Sequence, residues 1–375
     1  MRHNYIKLIC VILFILPLFS YAEKLTPAFS NIVFFGDSLS DNGNLYDHDF
    51  GILPKSPPYF HGRFSNGEIW SDYVAKYYFN HYGINSVNYA VGGQPVIFHN
   101  PFNGYLPYTL NMSLYDYLVR SLYSDKSSAL YIIWTGGNDY LHSVDDADIN
   151  DMDQLSTYVM NSLKCTIESL IYNGGKNFIM INLPDFAKTP YGLINKKREL
   201  LTAVVLMHNL KLDNTIAEIQ HNYKQVHIQS FDLNSMFIDF LAHPDIYNQK
   251  YQIHITDVST SCWHGGYTKT PMIRNQEMIA QQIEADLRMQ SRVANAKYTN
   301  KFNTLQFANY ITFTPDLLEA YTIGEEAGKV IQLCDNPDEH VFWDKIHPTT
   351  VTHYVMAQTI LDFVNQYFIS SSSPH

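Results

Sequence analysis

Short apolar runs alternate with amphipathic stretches along this chain. Runs at 31–36, 86–91, 129–135, 176–183 and 226–231 are bounded by Gly, Pro or Asn, a pattern that predicts five buried strands. Between them, helical periodicity predicts helices at 68–79, 113–123, 152–172 and 199–223. A last helix is expected to begin at His347-Pro348, with Pro in its first turn and Tyr354, Leu361, Val364 and Phe368 on one face. Strands alternating with helices mean a parallel sheet covered on both faces, so the expected fold is a three-layer α/β/α arrangement with a five-stranded parallel sheet. In such folds the ligand site lies beyond the carboxyl ends of the strands. The sequence contains no internal repeat.

The first residues follow a different pattern. Arg2 and Lys7 precede an apolar stretch from Leu8 to Phe19, and Ser20-Tyr21-Ala22 offers a small-x-small cleavage site before Glu23. Residues 1–22 therefore read as a secretory signal peptide, whose 12-residue apolar stretch is far short of the ~20 that a spanning helix needs. Cys10 would be lost with the leader. No later run is long and apolar enough to span a membrane, so the expected product is exported without a stable membrane anchor. Residues 23–375 are expected to form a single domain.

Composition narrows the partners. The 375 residues are 46% hydrophobic and 16% charged, which fits a globular chain, and a net charge of −11 gives no basic field for a nucleic acid backbone. The 28 Tyr and 22 Phe suit either a core or an extracellular binding surface. The cysteine and histidine spacings match no zinc pattern, and no CxxC or HExxH occurs, so the 16 His are taken as ordinary surface or core residues and neither a metal nor a cofactor is expected.

Export permits a disulfide, and Cys165, Cys262 and Cys334 allow three pairings with one thiol left over. Cys262 and Cys334 lie in segments rich in turn residues, whereas Cys165 lies in a helical pattern, opposite the stripe of Leu155, Val159, Leu163, Ile167 and Leu170. On that contrast Cys262 is paired with Cys334. The enclosed stretch is long for a simple connection, so 262–334 is expected to be an insertion with structure of its own, including a helix at 275–296.

Three strand ends carry polar residues that a core would not need. They are Gly36-Asp37-Ser38-Leu39-Ser40-Asp41, the glycine pair Gly92-Gly93 after 86–91, and Gly136-Gly137-Asn138-Asp139. Near the C-terminus, Asp344-Lys345-Ile346-His347-Pro348 puts a carboxylate three residues before a histidine. Taken singly, each is an ordinary turn or surface ion pair.

Taken in order, the four blocks resemble the GDSL, or SGNH, hydrolases: Gly-Asp-Ser-Leu at 36–39, the glycines at 92–93, Gly-x-Asn-Asp at 136–139 and Asp-x-x-His-Pro at 344–348. Gly62 to Trp70, Asn182-Leu183-Pro184-Asp185 and Phe231-Asp232-Leu233-Asn234 are similar to the family's secondary blocks. The resemblance covers almost the whole chain after the leader. It is nearest to secreted bacterial lysophospholipases and glycerophospholipid:cholesterol acyltransferases, on the segment from Asp257 to Cys262 and on Cys334 shortly before the Asp-x-x-His block. The long 262–334 stretch departs from the short disulfide loop of those relatives.

The resemblance implies a flavodoxin-like SGNH fold with Ser38 as nucleophile, His347 as general base and Asp344 as the carboxylate orienting it. It also implies an oxyanion hole made of the Ser38 N–H, the Gly93 N–H and the Asn138 amide. The G-x-S-x-G elbow of α/β-hydrolases is absent, since Ser40 stands where its second Gly would be. The expected activity is cleavage of acyl esters of phospholipid or lysophospholipid through an acyl-serine, with a sterol as a second acceptor. The expected location is extracellular or periplasmic in a Gram-negative bacterium. An activating protease cutting inside 262–334, for instance at 288–301, is a further implied partner, since Cys334 tethers that loop beside His347. The plain alternative for the disulfide is a structural staple worth ~4 kcal/mol. Competing readings are a carbohydrate O-acetyl esterase with the same triad and a non-catalytic exported binding protein.

Overall fold

The computed structural model describes residues 25–48, 51, 53–54, 56–97, 108–141, 143–145, 147–263 and 333–371, with isolated positions 281, 284–285, 308–309 and 311–312. The leader, the 275–296 helix and the 288–301 stretch fall outside these residues, apart from the isolated positions 281 and 284–285. The elements in chain order begin with β1 (Leu25–Pro27), β2 (Asn31–Gly36), α1 (Asn44–His48), α2 (Trp70–Tyr82), β3 (Asn85–Asn88) and α3 (Leu110–Arg120). They continue with β4 (Ala129–Trp134), α4 (Gly137–Leu141), α5 (Ile149–Tyr172), β5 (Asn177–Ile181), α6 (Pro190–Ile194), α7 (Arg198–Asn222) and β6 (His227–Phe231). After these come α8 (Leu233–Ala242), α9 (Pro244–Tyr251), β7 (Asp257–Ser261), β8 (His340–Phe342), α10 (Thr350–Phe368) and β9 (Ile369–Ser371).

The central sheet runs β3-β2-β4-β5-β6 with every pairing parallel, the order of a flavodoxin-like doubly wound fold. β2 and β4 sit inside it, which explains their sequences: Ile32 to Phe35 and all of Ala129 to Trp134 are buried, as strands covered on both faces require. α2 packs against α10 in one helical layer, and α3, α5 and α7 pack together in the other. The α5 stripe buries Val159, Leu163, Ile167 and Leu170, leaves Leu155 half-buried and leaves Cys165 exposed, as its phase requires.

Two expectations are corrected. The 86–91 run is an edge strand confined to Asn85–Asn88, with Val87 46% exposed; past it the Tyr89 and Val91 N–H groups still donate to the Phe34 and Gly36 carbonyls of β2, and the Asn88 side chain bonds the Ser40 carbonyl and the Ala90 N–H. Helix α10 starts at Thr350 and not at His347-Pro348. Pro348 bridges to Phe342, and the Thr349 hydroxyl caps the helix at the Thr352 N–H.

Two small ladders lie outside the expected pattern. β1 pairs antiparallel with β9, joining the two ends of the described chain. β7 pairs in parallel with β8 over an apolar cluster containing Phe237, Phe240, Val341 and Val355. Cys262 at the end of β7 is bonded to Cys334 just before β8, so the expected disulfide forms at the neck of the long insertion.

Candidate active site

Ser38 stands on the turn that leaves β2. The Ser40 and Asp41 N–H groups donate to the Asp37 carbonyl at 3.0 and 2.9 Å, closing the turn so that the hydroxyl stands at the strand's carboxyl end. Gly36 is required there, since a Cβ would lie 2.6 Å from the Trp134 carbonyl oxygen and 2.9 Å from Ser40 Cβ.

His347 and Asp344 arrive from the opposite end of the chain, on the loop between β8 and α10. His347 Nε2 lies 2.9 Å from Ser38 Oγ, and His347 Nδ1 lies 2.7 Å from Asp344 Oδ2. An acceptor-only carboxylate at Nδ1 fixes the proton on that nitrogen, leaving Nε2 to accept from the serine hydroxyl. Asp344 is itself fully bonded: Oδ1 accepts from the Ile346 and His347 N–H groups at 2.8 and 2.7 Å, and Oδ2 also accepts from Tyr59 Oη at 2.7 Å. Burial pushes this carboxyl upward in pKa, but the His347 charge and these donors outweigh it, so it lies below its ordinary value and stays ionised. The Phe64 ring packs 5.0 Å from the imidazole and closes that side.

The oxyanion candidates follow three adjacent strands. Ser38 follows β2, Gly93 follows β3 and Asn138 opens α4 after β4, so the topology puts them at one end of the sheet. Gly93 has φ +69°, a conformation that a side chain would strain. Gly92 has no room for a Cβ, which would meet the Phe64 ring at 2.4 Å. Gly136 has φ +115° and lies against the His208 ring, which is fixed by a 2.8 Å bond from Nδ1 to Tyr140 Oη. Asn138 is buried and donates to the Gln94 carbonyl at 3.3 Å.

Hydrogen bonds join Ser38, His347 and Asp344, while Gly93 and Asn138 follow the two strands that flank β2. Tyr59, Asp41, Asp139 and His208 belong to the same framework and were not singled out as site residues in the sequence. Asp41 and Asp139 stood inside the quoted blocks, whereas Tyr59 and His208 carry no local signal. Among the described residues no group of three or more His, Cys, Asp or Glu could hold a metal ion.

Two hollows flank the nucleophile turn. One is a narrow apolar crevice lined by Leu39, Trp134, Phe186, Phe237, Ile346 and Met356, among others, so it touches the neighbours of both Ser38 and His347. The other is a concavity of about 560 Å³ with a mixed lining that includes Asn42, Asp47, Tyr89, Tyr108 and Arg120.

The chain is similar to known proteins. A family model described as GDSL-like lipase/acylhydrolase matches residues 32–360. A phosphatidylcholine-sterol acyltransferase from Aeromonas hydrophila is 28% identical over 344 residues, covering 91% of this chain and 92% of that protein. The secreted effector protein SseJ of Salmonella typhimurium is 30% identical over 209 residues, covering 56% of this chain and 48% of its own. Among solved structures, the aryl esterase of M. smegmatis superposes with a TM-score of 0.36 and 15% identity, over 54% of this chain and 83% of that one.

Proposed function

The chain belongs to the GDSL-like lipase/acylhydrolase family, and from that premise we propose that it is a secreted serine esterase cleaving acyl esters of phospholipids and lysophospholipids. The observation that carries the reading is the unbroken chain of hydrogen bonds from Ser38 through His347 to Asp344. His347 takes the Ser38 proton as Oγ attacks the ester carbonyl, and Asp344 stabilises the imidazolium that forms. The Ser38 and Gly93 N–H groups and the Asn138 amide receive the oxyanion. His347 then protonates the departing glycerol alkoxide, leaving an acyl-serine. Water, activated by the same histidine, releases the fatty acid. A sterol hydroxyl in its place gives a sterol ester. The relative named as a phosphatidylcholine-sterol acyltransferase supports a lipid donor and an acyl acceptor.

In this reading residues 1–22 are a leader, residues 23–375 are one hydrolase unit, and the product is extracellular or periplasmic. The Cys262–Cys334 loop is read as a cover that a protease cuts to raise activity while the disulfide holds the halves together. Protein beginning at Glu23 and its Ser38→Ala variant are assayed on phospholipid, lysophospholipid and acetylated xylan, with and without cholesterol. Fatty acid release from long-chain lysophospholipid that Ser38→Ala abolishes is the expected result. Activity on acetylated xylan alone would assign the carbohydrate esterase reading, and wild-type turnover by Ser38→Ala would remove Ser38 from the mechanism. Limited proteolysis between 263 and 333 under non-reducing conditions should raise turnover, and unchanged turnover would leave the disulfide as a staple.

A further inference from the structure

Of the three oxyanion contributors, Ser38 and Asn138 stand on a tight turn and a helix, whereas Gly93 belongs to a segment without regular secondary structure. Its N–H points wherever the loop around it is held. The loop is held by carboxylates that come from the other two contributors' own segments. Asp41, three residues after Ser38, accepts the Gly92 N–H at 2.7 Å while also accepting those of Gly43, Asn44 and Leu45. Asp139, next to Asn138, accepts the Val96 N–H on Oδ2 at 2.9 Å and the Ile97 N–H on Oδ1 at 3.0 Å. Between these fixings, the Gln94 carbonyl accepts the Asn138 amide. Asp41 and Asp139 are both fully buried, so no water competes for the donors.

We propose that Asp139 is a positioning residue for acyl transfer, its carboxylate fixing the 92–97 loop so that the Gly93 N–H and the Asn138 amide address one oxyanion. The inference rests on the reading of Gly93 and Asn138 as oxyanion donors. Its role runs through the backbone N–H groups of Val96 and Ile97. It acts because adjacent N–H groups bound to one carboxylate leave the loop a single orientation, and donors arranged in advance need no reorganisation when charge develops. A loop released by a fraction of an ångström would bind the ground-state ester nearly as before and stabilise the transition state less.

The test uses p-nitrophenyl butyrate, which any serine esterase of this kind should hydrolyse, with the variants Asp139→Asn, Asn138→Ala and both together. Asp139→Asn keeps the shape but turns one acceptor into a donor facing a buried N–H. Its kcat should fall about 10- to 100-fold with KM within about twofold, while near-UV circular dichroism and the melting transition show a folded protein at the assay temperature. Asn138→Ala should lower kcat by about 100-fold or more, and the double variant should lose little beyond Asn138→Ala, since the two act through one hole. Asp139→Asn retaining kcat within twofold while Asn138→Ala loses it would overturn the proposal and leave the oxyanion reading standing. Losses that multiply in the double variant would also overturn it. Asn138→Ala with wild-type kcat would overturn both. If Asp139→Asn fails to fold, Asp139→Glu keeps the charge and displaces the loop, and should show the same loss in kcat alone. Failure of both variants to fold would make Asp139 a requirement of the fold and end the proposal.

Discussion

Tyr59 is the residue whose removal should speak most directly about the triad. Its hydroxyl gives Asp344 Oδ2 a second donor beside the imidazole, in a place where both residues are almost wholly buried. Tyr59→Phe deletes one hydrogen bond to a buried charge and leaves the ring, so unfolding stability should fall by about 1.5–3 kcal/mol, read from the denaturant midpoint. The kcat should fall as well, because a carboxylate with one less donor holds the imidazole less firmly. An unchanged midpoint would show that the hydroxyl is not bonded to Asp344 in solution. Ser38, Asp344 and His347 were legible in the sequence only because their blocks, taken in order, resemble the GDSL hydrolases. Tyr59 was not, since it meets Asp344 only across 285 positions of chain and no local pattern announces a fold-level contact.

The short loop between β8 and α10 carries His347, the proposed base, and Thr349 fixes where that loop ends. Its hydroxyl donates to the His340 carbonyl at 2.7 Å and receives the Thr352 N–H, fastening the helix start to β8. Thr349→Val is nearly isosteric and removes both bonds, so it should cost about 1–2 kcal/mol, whereas Thr349→Ser should melt close to the parent protein. A Thr349→Val protein with the parent's melting temperature would show that the cap carries no weight. The same loop shows why element boundaries were harder to read than elements. Pro348 marked a helix entrance correctly in kind, but tertiary pairing with Phe342 drew it out of the first turn. β2 was legible to the residue because burial on both faces demands an unbroken apolar run. β3 was overextended because the apolar run continues through Tyr89, Ala90 and Val91, and the N–H groups of Tyr89 and Val91 still reach β2 carbonyls although the strand itself ends at Asn88. The β1–β9 and β7–β8 ladders are products of the finished fold, and segments such as Leu25–Pro27 have no period to read.

Across the whole molecule, two buried histidines make the fold sensitive to acid. Burial holds both His208 and His353 down to a pKa of about 3, with the Lys211 charge adding to the effect at the first and His347 at the second. A histidine depressed from 6.5 stabilises the fold fully above that value and loses this contribution as pH falls, about 2 kcal/mol each by pH 5. Asp41 works in the opposite direction. Burial raises it to about 6 against the donors it accepts, so it takes up a proton in the folded state first and returns ~1 kcal/mol by pH 5. Stability should therefore fall between pH 6.5 and 5. His353→Leu should reduce the slope of unfolding free energy against pH by about one proton, and equal slopes would show that His353 is not buried neutral. Composition alone could not separate these two from the other histidines, because depth is a property of the folded whole. The separation of Ser38 from His347, 309 positions along the chain, has a consequence in time. A ribosome makes the hydroxyl 309 residues before its base. The sheet's first strands can fold as they emerge, but a nascent chain short of residue 344 has neither the imidazole nor the carboxylate that would activate Ser38. Under the proposed mechanism ester cleavage thus waits until the 344–347 segment is synthesised and docked, and the acid–base pair is withheld from every chain that stops short of it.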